Sequence, residues 1–326
     1  MDTRSSLDPT VVRENGRCQL GSKNAYVQAA GLRPARAVGV GIGHHGEILQ
    51  GAFRDQDCRI HRGLVTLPCP IFNSIAWVSP RSAPSVDLDP AEKSKVQRAV
   101  ALMLGQFGER APGLSVWVRS NIPIGYGLGS STADIVAALK ATAAALGKSL
   151  SPAQLLEIAV AAEEASDGTM FTSRAVLTAH REGIVIEEFA QLLPPLGIIS
   201  INCCPESPLL TLDFPPARYE PAEIDHFDEL RRILRRAISN ADQALLARVA
   251  TESALINQRY IAQPGLPDVL DIACANGALG IQVAHSGRMV GVILQANRNR
   301  SDPQVSAIMS GLAELGVVPM FISRLQ

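Results

Sequence analysis

The sequence predicts an α+β fold in two domains, and three observations carry that prediction. The chain has 326 residues, enough for two cores on a soft length prior. A strand, a glycine-rich loop and a helix follow one another between residues 114 and 146. Beyond the proline pair Leu192-Leu193-Pro194-Pro195, helical stretches alternate with short apolar strands, a pattern of helices laid on an antiparallel sheet. The expected division is an extension over 1–35, a first domain over 36–193 and a second over 194–326.

Composition narrows the function classes. The formal net charge is -1, so neither a basic nucleic-acid surface nor an acidic tail is indicated. Six cysteines occur without a C-x-x-C pair, which argues against a zinc knuckle or redox motif and for reduced thiols in a cytoplasmic protein. No apolar run is long enough for a membrane span, and Met1 to Asn15 has no apolar signal core.

Taken in order, residues 1–35 show no period and are expected to be a flexible extension. Ala35 to Val40 reads as a strand. Gly41-Ile42-Gly43-His44-His45-Gly46-Glu47-Ile48-Leu49-Gln50-Gly51 follows and satisfies G-x-G-x-x-G, a weak pattern alone. A dinucleotide fold needs a full helix after the last glycine, and Gly51 with Arg54-Asp55-Gln56-Asp57 comes too soon. The segment is therefore read as a loop. Residues 62–70 and 71–78 read as two strands separated at Pro68 and Pro70. Asp89-Pro90 is expected to open a helix running to Phe107, with Asp89 as N-cap.

Leu114 to Ile122 alternates and is rich in β-branched residues, a strand. Pro123-Ile124-Gly125-Tyr126-Gly127-Leu128-Gly129-Ser130-Ser131-Thr132 comes next, and an alanine-rich helix runs from Ala133 to Leu146. Glycines let the backbone approach a ligand, and the free N–H groups of a helix start carry partial positive charge. Phosphate binds well at such a place. No lysine follows the last glycine, so this is not a Walker A loop. Ser151-Pro152-Ala153-Gln154 is a capping box opening a second helix. That helix ends in Glu163-Glu164-Ala165-Ser166-Asp167-Gly168. Acids at a helix C-terminus oppose the dipole, a cost offset if they face a cation.

Strands over 175–178 and 183–189 are expected to close the first domain, and residues 196–203 to open the second. Pro205, Pro208, Pro215 and Pro216 suggest a rigid connection. Helices are expected over 221–239, 242–260, 268–275 and 303–315, with strands within 277–293 and over 317–323. Arg231, Arg232, Arg235 and Arg236 share a face read as solvated. The sum suggests a ferredoxin-like second domain.

The arrangement P-x-x-x-G-L-G-S-S closely resembles the central phosphate loop of the GHMP kinases. Gly43-His44-His45-Gly46-Glu47-Ile48-Leu49-Gln50-Gly51 resembles the first motif of the L-threonine kinase subgroup, with Ile42 where proline is usual. Mevalonate-type relatives carry a lysine in this motif, and His44 stands in its place. Thr66 falls in a V-T-x-P segment near the substrate in that subgroup, and His285-Ser286-Gly287 resembles its third motif.

The resemblance covers about residues 37–326 and implies a two-domain GHMP kinase fold, with a ribosomal S5-like first domain. It implies ATP and Mg²⁺ as cofactors. ATP would be held by Pro123, Gly125, Gly127, Leu128, Gly129, Ser130, Ser131 and Thr132, and the metal by Ser131 and Glu164. Glu163 is the less favoured ligand, since the next side chain points about 100° around the helix. Asp167 would orient the acceptor hydroxyl. His44, His45, Glu47, Gln50, Thr66, His285 and Ser286 would contact the acceptor. The implied partner is a small hydroxyl-bearing molecule, first of all L-threonine, and a homodimer is compatible. Homoserine or mevalonate-type alcohols, or a non-catalytic nucleotide sensor on the same fold, are the alternatives.

Overall fold

The computed structural model describes residues 35–108, 113–203, 217–285 and 287–325. The expected extension before residue 35, the four-proline connection and Ser286 lie outside the described residues, the first except for Ala35 itself.

A twisted sheet forms the spine. Its strands are β1 (Ala37–Arg54), β2 (Ile60–Pro80), β3 (Val86–Asp89), β4 (Leu114–Ser120), β5 (Val176–Ala179), β6 (Ile184–Glu188), β7 (Leu196–Asn202), β8 (Gly280–Val283), β9 (Met289–Gln295) and β10 (Met320–Leu325). The order is β10-β7-β9-β8-β1-β2-β4-β3, with β5 pairing β2 and β6. Only β3 and β4 run parallel; every other pair is antiparallel. This is the mixed α+β architecture expected, with antiparallel pairing predominant and β1–β2, β5–β6 and β8–β9 joined as hairpins.

The helices are α1 (Ser94–Gln106), α2 (Ser130–Ala145), α3 (Pro152–Glu163), α4 (Pro221–Ser239), α5 (Gln243–Asn257), α6 (Leu266–Ala275) and α7 (Pro303–Glu314). One core packs α1, α2 and α3 onto Ala76, Val78, Val116 and Val118 of β2 and β4. A second joins α4 and α5 to Ile48, Leu49 and Phe53 of β1 and Ile198 of β7. A third sets α6 and α7 against Ile281, Val290 and Val292. Ser151 caps α3 with the reciprocal Gln154 bond expected from sequence.

Four expectations are corrected. Residues 41–51 are not a loop but the middle of β1, with register shifts after Ile42, His44 and Glu47. Such bulges re-aim side chains without ending the strand. β2 runs unbroken through Pro68 and Pro70, because the register shifts there leave neither proline needing to donate a ladder bond. Asp89 ends β3 instead of capping α1, whose N-cap is Lys93. The arginine face is only partly solvated: Arg231 and Arg235 both reach Glu187 at the end of β6.

The feature that positions the site is how closely α2 lies on β1. A Cβ at Gly39 would fall 2.2 Å from the Ala137 carbonyl oxygen, and one at Gly41 2.1 Å from that of Ala133. Two side-chain-free residues on the strand face Ala133, Ala137 and Ala141, four apart on the helix. Backbone therefore packs on backbone, and the start of α2 is held over His44.

Candidate active site

The glycine-rich loop enters α2 with Gly125, Gly127 and Gly129 all at positive φ. Gly129 is the N-cap at φ +74°, and no side chain caps the helix. The first intrahelical bond runs from the Ala133 N–H to the Gly129 carbonyl, so the earlier N–H groups of the turn are not spent inside the helix. That is the geometry of an anion cradle. Leu128 is buried with Ile122, Ala133, Ala284 and Met289 and pins the loop from below. The Leu128 carbonyl accepts the His44 N–H at 3.1 Å, which ties the loop to β1.

Beneath Gly129 lie His44 and Asp167. A Cβ at Gly129 would stand 2.5 Å from His44 Cδ2 and 3.3 Å from Asp167 Oδ2. His44 Nε2 is 3.1 Å from Asp167 Oδ2, and both residues are buried. Burial alone would drive the His44 imidazole neutral. The Asp167 carboxylate, by charge and hydrogen bond, outweighs that and lifts the imidazole to about 9, helped by Glu47. Burial likewise opposes the Asp167 charge, and His44 overcomes it, holding the carboxyl well below the usual carboxylate range. The pair is therefore ionised at neutral pH.

Glu47 completes the cluster. It sits between two register shifts of β1 against β2 and also pairs with β8, opposite both Thr66 and Val283. Its side chain is fully buried, yet neither carboxylate oxygen has a hydrogen-bond partner. His44 Nδ1 and His285 Nδ1 are each 3.6 Å from Glu47 Oε1, too long for hydrogen bonds. Both ring nitrogens of His285 are also unpartnered. A native interior pairs its buried polar groups, so this set stands out in leaving hydrogen-bonding capacity unused. His44, Glu47 and Asp167 bring ligand atoms within 4.8 Å of one another. That donor set includes an imidazole nitrogen, which Mg²⁺ does not favour.

The oxygen-rich set lies on the other side of the loop. Thr132 Oγ1 donates to Glu163 Oε1 at 2.7 Å and is 3.2 Å from Ser166 Oγ, and the Asp167 N–H reaches it at 3.4 Å. Glu163 is buried, which pushes its carboxyl up to about 7, although Ser131 and Thr132 hydrogen bonds work against that. Lys95 Nζ stands 3.8 Å away. Glu164, preferred from sequence as the metal ligand, is exposed and left-handed at the C-cap, φ 72°. Glu163, and not Glu164, is the acid that the structure brings to the loop.

The other sequence-selected residues divide. Gln50 and His285 line a pocket beside the cluster. Thr66 is buried with its hydroxyl unpartnered and lines a smaller cavity with Gly168 and Phe171. His45 is not in the site. One ring nitrogen is 2.7 Å from Ser200 Oγ of β7 and the other pairs with Gln282 of β8, so it bolts three strands together. Alternation along β1 puts its side chain opposite to that of His44. Sequence reading missed a cleft beside the loop formed by Lys93, Ser120, Ser130 and Asp134. Lys93 pairs with Asp134, and the Ser74 hydroxyl donates to the same carboxylate at 2.6 Å. Asp134 falls in the first turn after the serine pair, the one signal that could have found it.

Comparison with known proteins agrees with this geometry. Residues 94–173 match the family described as GHMP kinases N terminal domain. The chain is 28% identical over 260 residues to an L-threonine kinase of Salmonella typhimurium, covering 78% of this chain and 81% of that protein. It is 28% identical over 217 residues to a homoserine kinase of Moorella thermoacetica, covering 64% and 72%. Among solved structures, homoserine kinase from Cytophaga hutchinsonii superposes with a TM-score of 0.64 at 16% identity, over 89% of this chain and 96% of that one. Phosphomevalonate kinase from Streptococcus pneumoniae superposes with a TM-score of 0.62 at 13% identity, over 90% and 100%. Among the described residues, no helix is long and apolar enough to cross a membrane.

Proposed function

We propose that this chain, an ATP-dependent phosphotransferase of the GHMP kinase type acting on a hydroxyl, takes as its acceptor a small hydroxy amino acid, first of all L-threonine. The observation that carries the reading is the buried His44–Asp167 pair, 3.1 Å apart, lying directly under Gly129 of the glycine-rich loop.

The division of labour follows from the geometry. Main-chain N–H groups at the start of α2 take the phosphates. Ser131 and Glu163 supply hard oxygens that fit Mg²⁺, and when bound the ion neutralises phosphate charge. Asp167 accepts a hydrogen bond from the acceptor hydroxyl and orients it towards the loop. The acceptor oxygen attacks the γ-phosphorus, the bond from that phosphorus to the bridging oxygen breaks, and ADP leaves. A carboxyl held so far down is a weak base, so the hydroxyl proton leaves late, through Asp167 to solvent, and Asp167 acts mainly by positioning. His44 adds a fixed positive charge beside the transferring group, where a transition state spreads negative charge.

Glu47 supports an amino acid acceptor. Its fully buried carboxyl has neither oxygen hydrogen-bonded, with the imidazoles of His44 and His285 3.6 Å from Oε1, and an α-ammonium group would bring the donors it lacks. The L-threonine and homoserine kinases that the chain resembles are named for such acceptors. The test is an ADP-release assay over L-threonine, L-serine, L-homoserine, mevalonate and galactose. L-Threonine is expected to have the highest kcat/KM. Homoserine ahead of threonine would move the assignment within the amino acids; mevalonate or galactose ahead of every amino acid overturns it.

A further inference from the structure

The pocket beside Glu47 carries two arginines that the reaction described so far does not use. Arg62 projects from β2, opposite Ala52, and Arg181 lies in the turn joining β5 to β6. Both are half-buried and both line the pocket. None of the pocket's lining residues is acidic. Other partly buried arginines find carboxylates: Arg54 pairs with Asp225 and Asp228, Arg231 with Glu187, Arg298 with Asp302. Arg62 and Arg181 make no hydrogen bond or ion pair among the described residues, and Arg181 Nε is buried without a partner.

The arrangement is costly as it stands. Burial first, and then the Arg181 charge, weakens the hold of Arg62 on its proton. Glu182, the nearby acid, offsets only part of this and is hydrogen-bonded to His61 at 2.7 Å. The neutral walls cannot help either. The Tyr219 hydroxyl donates to Asn257 at 2.6 Å, and the Asn257 amide is spent on the Gln50 and Ser253 carbonyls. Two like charges facing one pocket whose described lining holds no acid favour an anionic occupant. Guanidinium forks match the planar oxygens of a carboxylate or phosphate.

The pocket opens on the reacting groups. His285 lines it, and its Nδ1 is 3.9 Å from Asp167 Oδ1. His180 lines it too, and its carbonyl accepts the Ser166 N–H at 2.9 Å, so the turn bearing Arg181 is tied to the segment bearing Asp167. We infer that Arg62 and Arg181 form an oxyanion subsite that holds a carboxylate or phosphate of the acceptor while its hydroxyl lies at Asp167. The acceptor class is thereby anionic alcohols. The link to the acceptor rests on the kinase reading above; the anion binding itself does not.

The experiment compares matched acceptors with and without the anion: L-threonine against L-threoninamide, and glycerate and glycerol 3-phosphate against glycerol. In whichever set turns over, the anionic member is expected to have the higher kcat/KM. Arg62→Gln and Arg181→Gln should each cut that preference at least about tenfold, a loss on the scale of one charge-assisted bond, with KM for ATP nearly unchanged. Arg62→Lys, which keeps the charge, should recover part of it. Loss confined to L-threonine and glycerate assigns a carboxylate; loss confined to glycerol 3-phosphate assigns a phosphate. An unchanged preference in both glutamine variants, or a wild type that prefers the uncharged members, overturns the inference and leaves the kinase reading standing. If no alcohol is turned over, calorimetric titration of the wild type and both variants with inorganic phosphate and acetate decides. Arginine-dependent binding upholds the subsite while the acceptor reading fails; binding that is absent or independent of both arginines overturns the subsite.

Discussion

Replacing Asp167 by Asn should remove a pH dependence of stability that the wild type owes to one buried pair. His44 rises from 6.5 to about 9 in the folded protein. At about 1.4 kcal/mol per pH unit this corresponds to about 3 kcal/mol, with no discount for solvent because the imidazole is almost fully buried. The sign follows from the direction. Below 6.5 both folded and unfolded chains carry the proton and the full contribution is present. Between 6.5 and about 9 the folded chain holds a proton that the unfolded chain has released, so stability falls as pH rises. Above that range the contribution is gone.

In Asp167→Asn the main cause of the rise is absent, Glu47 remains to oppose burial, and the His44 imidazole shifts back towards the neutral form. The decline on the alkaline side should then flatten. Urea unfolding of wild type and variant at a series of pH values from about 6 to about 9.5 measures it, with His44→Gln as a second route to the same flattening. If wild type and both variants lose the same stability across that interval, the pair is not charged and the reasoning fails. The mirror effect belongs to Asp167. Its depressed carboxyl contributes stability above the ordinary carboxylate range, and that contribution is lost as pH falls.

Asp167→Asn should also lower kcat by about 10²–10⁴ while ATP affinity stays nearly intact; near wild-type kcat would make the carboxylate structural. Gly129→Val must leave a left-handed φ and place a Cβ against His44, so equilibrium titration should show ATP binding weakened at least about tenfold in a protein that still folds. Unchanged affinity would remove the phosphate-loop assignment. Glu163→Gln should raise the Mg²⁺ concentration for half-maximal activity, whereas exposed Glu164→Gln should not; the reverse result would return the metal role to Glu164. Leu139→Ala, in the fully buried face of α2, should cost about 2–5 kcal/mol in urea unfolding, and a cost below about 1 kcal/mol would contradict the packing described.

Much of the fold was legible because it rests on local signals. The capping box at Ser151, the alanine series of α2 and the alternation of β4 each point one way, and the structure agrees. What was not legible depends on long-range pairing. Gly41 to Gly51 looks like a loop because glycines usually mark turns, yet here two glycines accommodate a helix and the strand continues. The Glu163 placement was within reach. Leu155, Ala159 and Glu163 lie four apart, so the buried stripe of α3 ends on Glu163. The dipole argument drew attention to the pair but could not separate its members. Arg62 and Arg181 lie 119 positions apart in sequence, and only the pairing of β5 with β2 brings their strands together.

His44 and His45 show how much of a site's electrostatics lies beyond sequence. Both are buried, they are adjacent, and a reading by residue type gives them one role. Burial takes His45 down to about 4, because its partners Ser200 and Gln282 are neutral and nothing repays the lost hydration of a charge. The same burial acts on His44, and Asp167 reverses it. The strand alternates, so one imidazole meets the sheet interior and its neighbour meets a carboxylate. The positive charge beneath the phosphate loop is thus not an intrinsic property of the side chain in the lysine's place. It exists because Asp167 is there. A lysine would stay charged when its aspartate is removed, since an ordinary ammonium titrates several pH units higher. In this chain the orienting anion and the stabilising cation are one coupled unit. Removing Asp167 takes both away together.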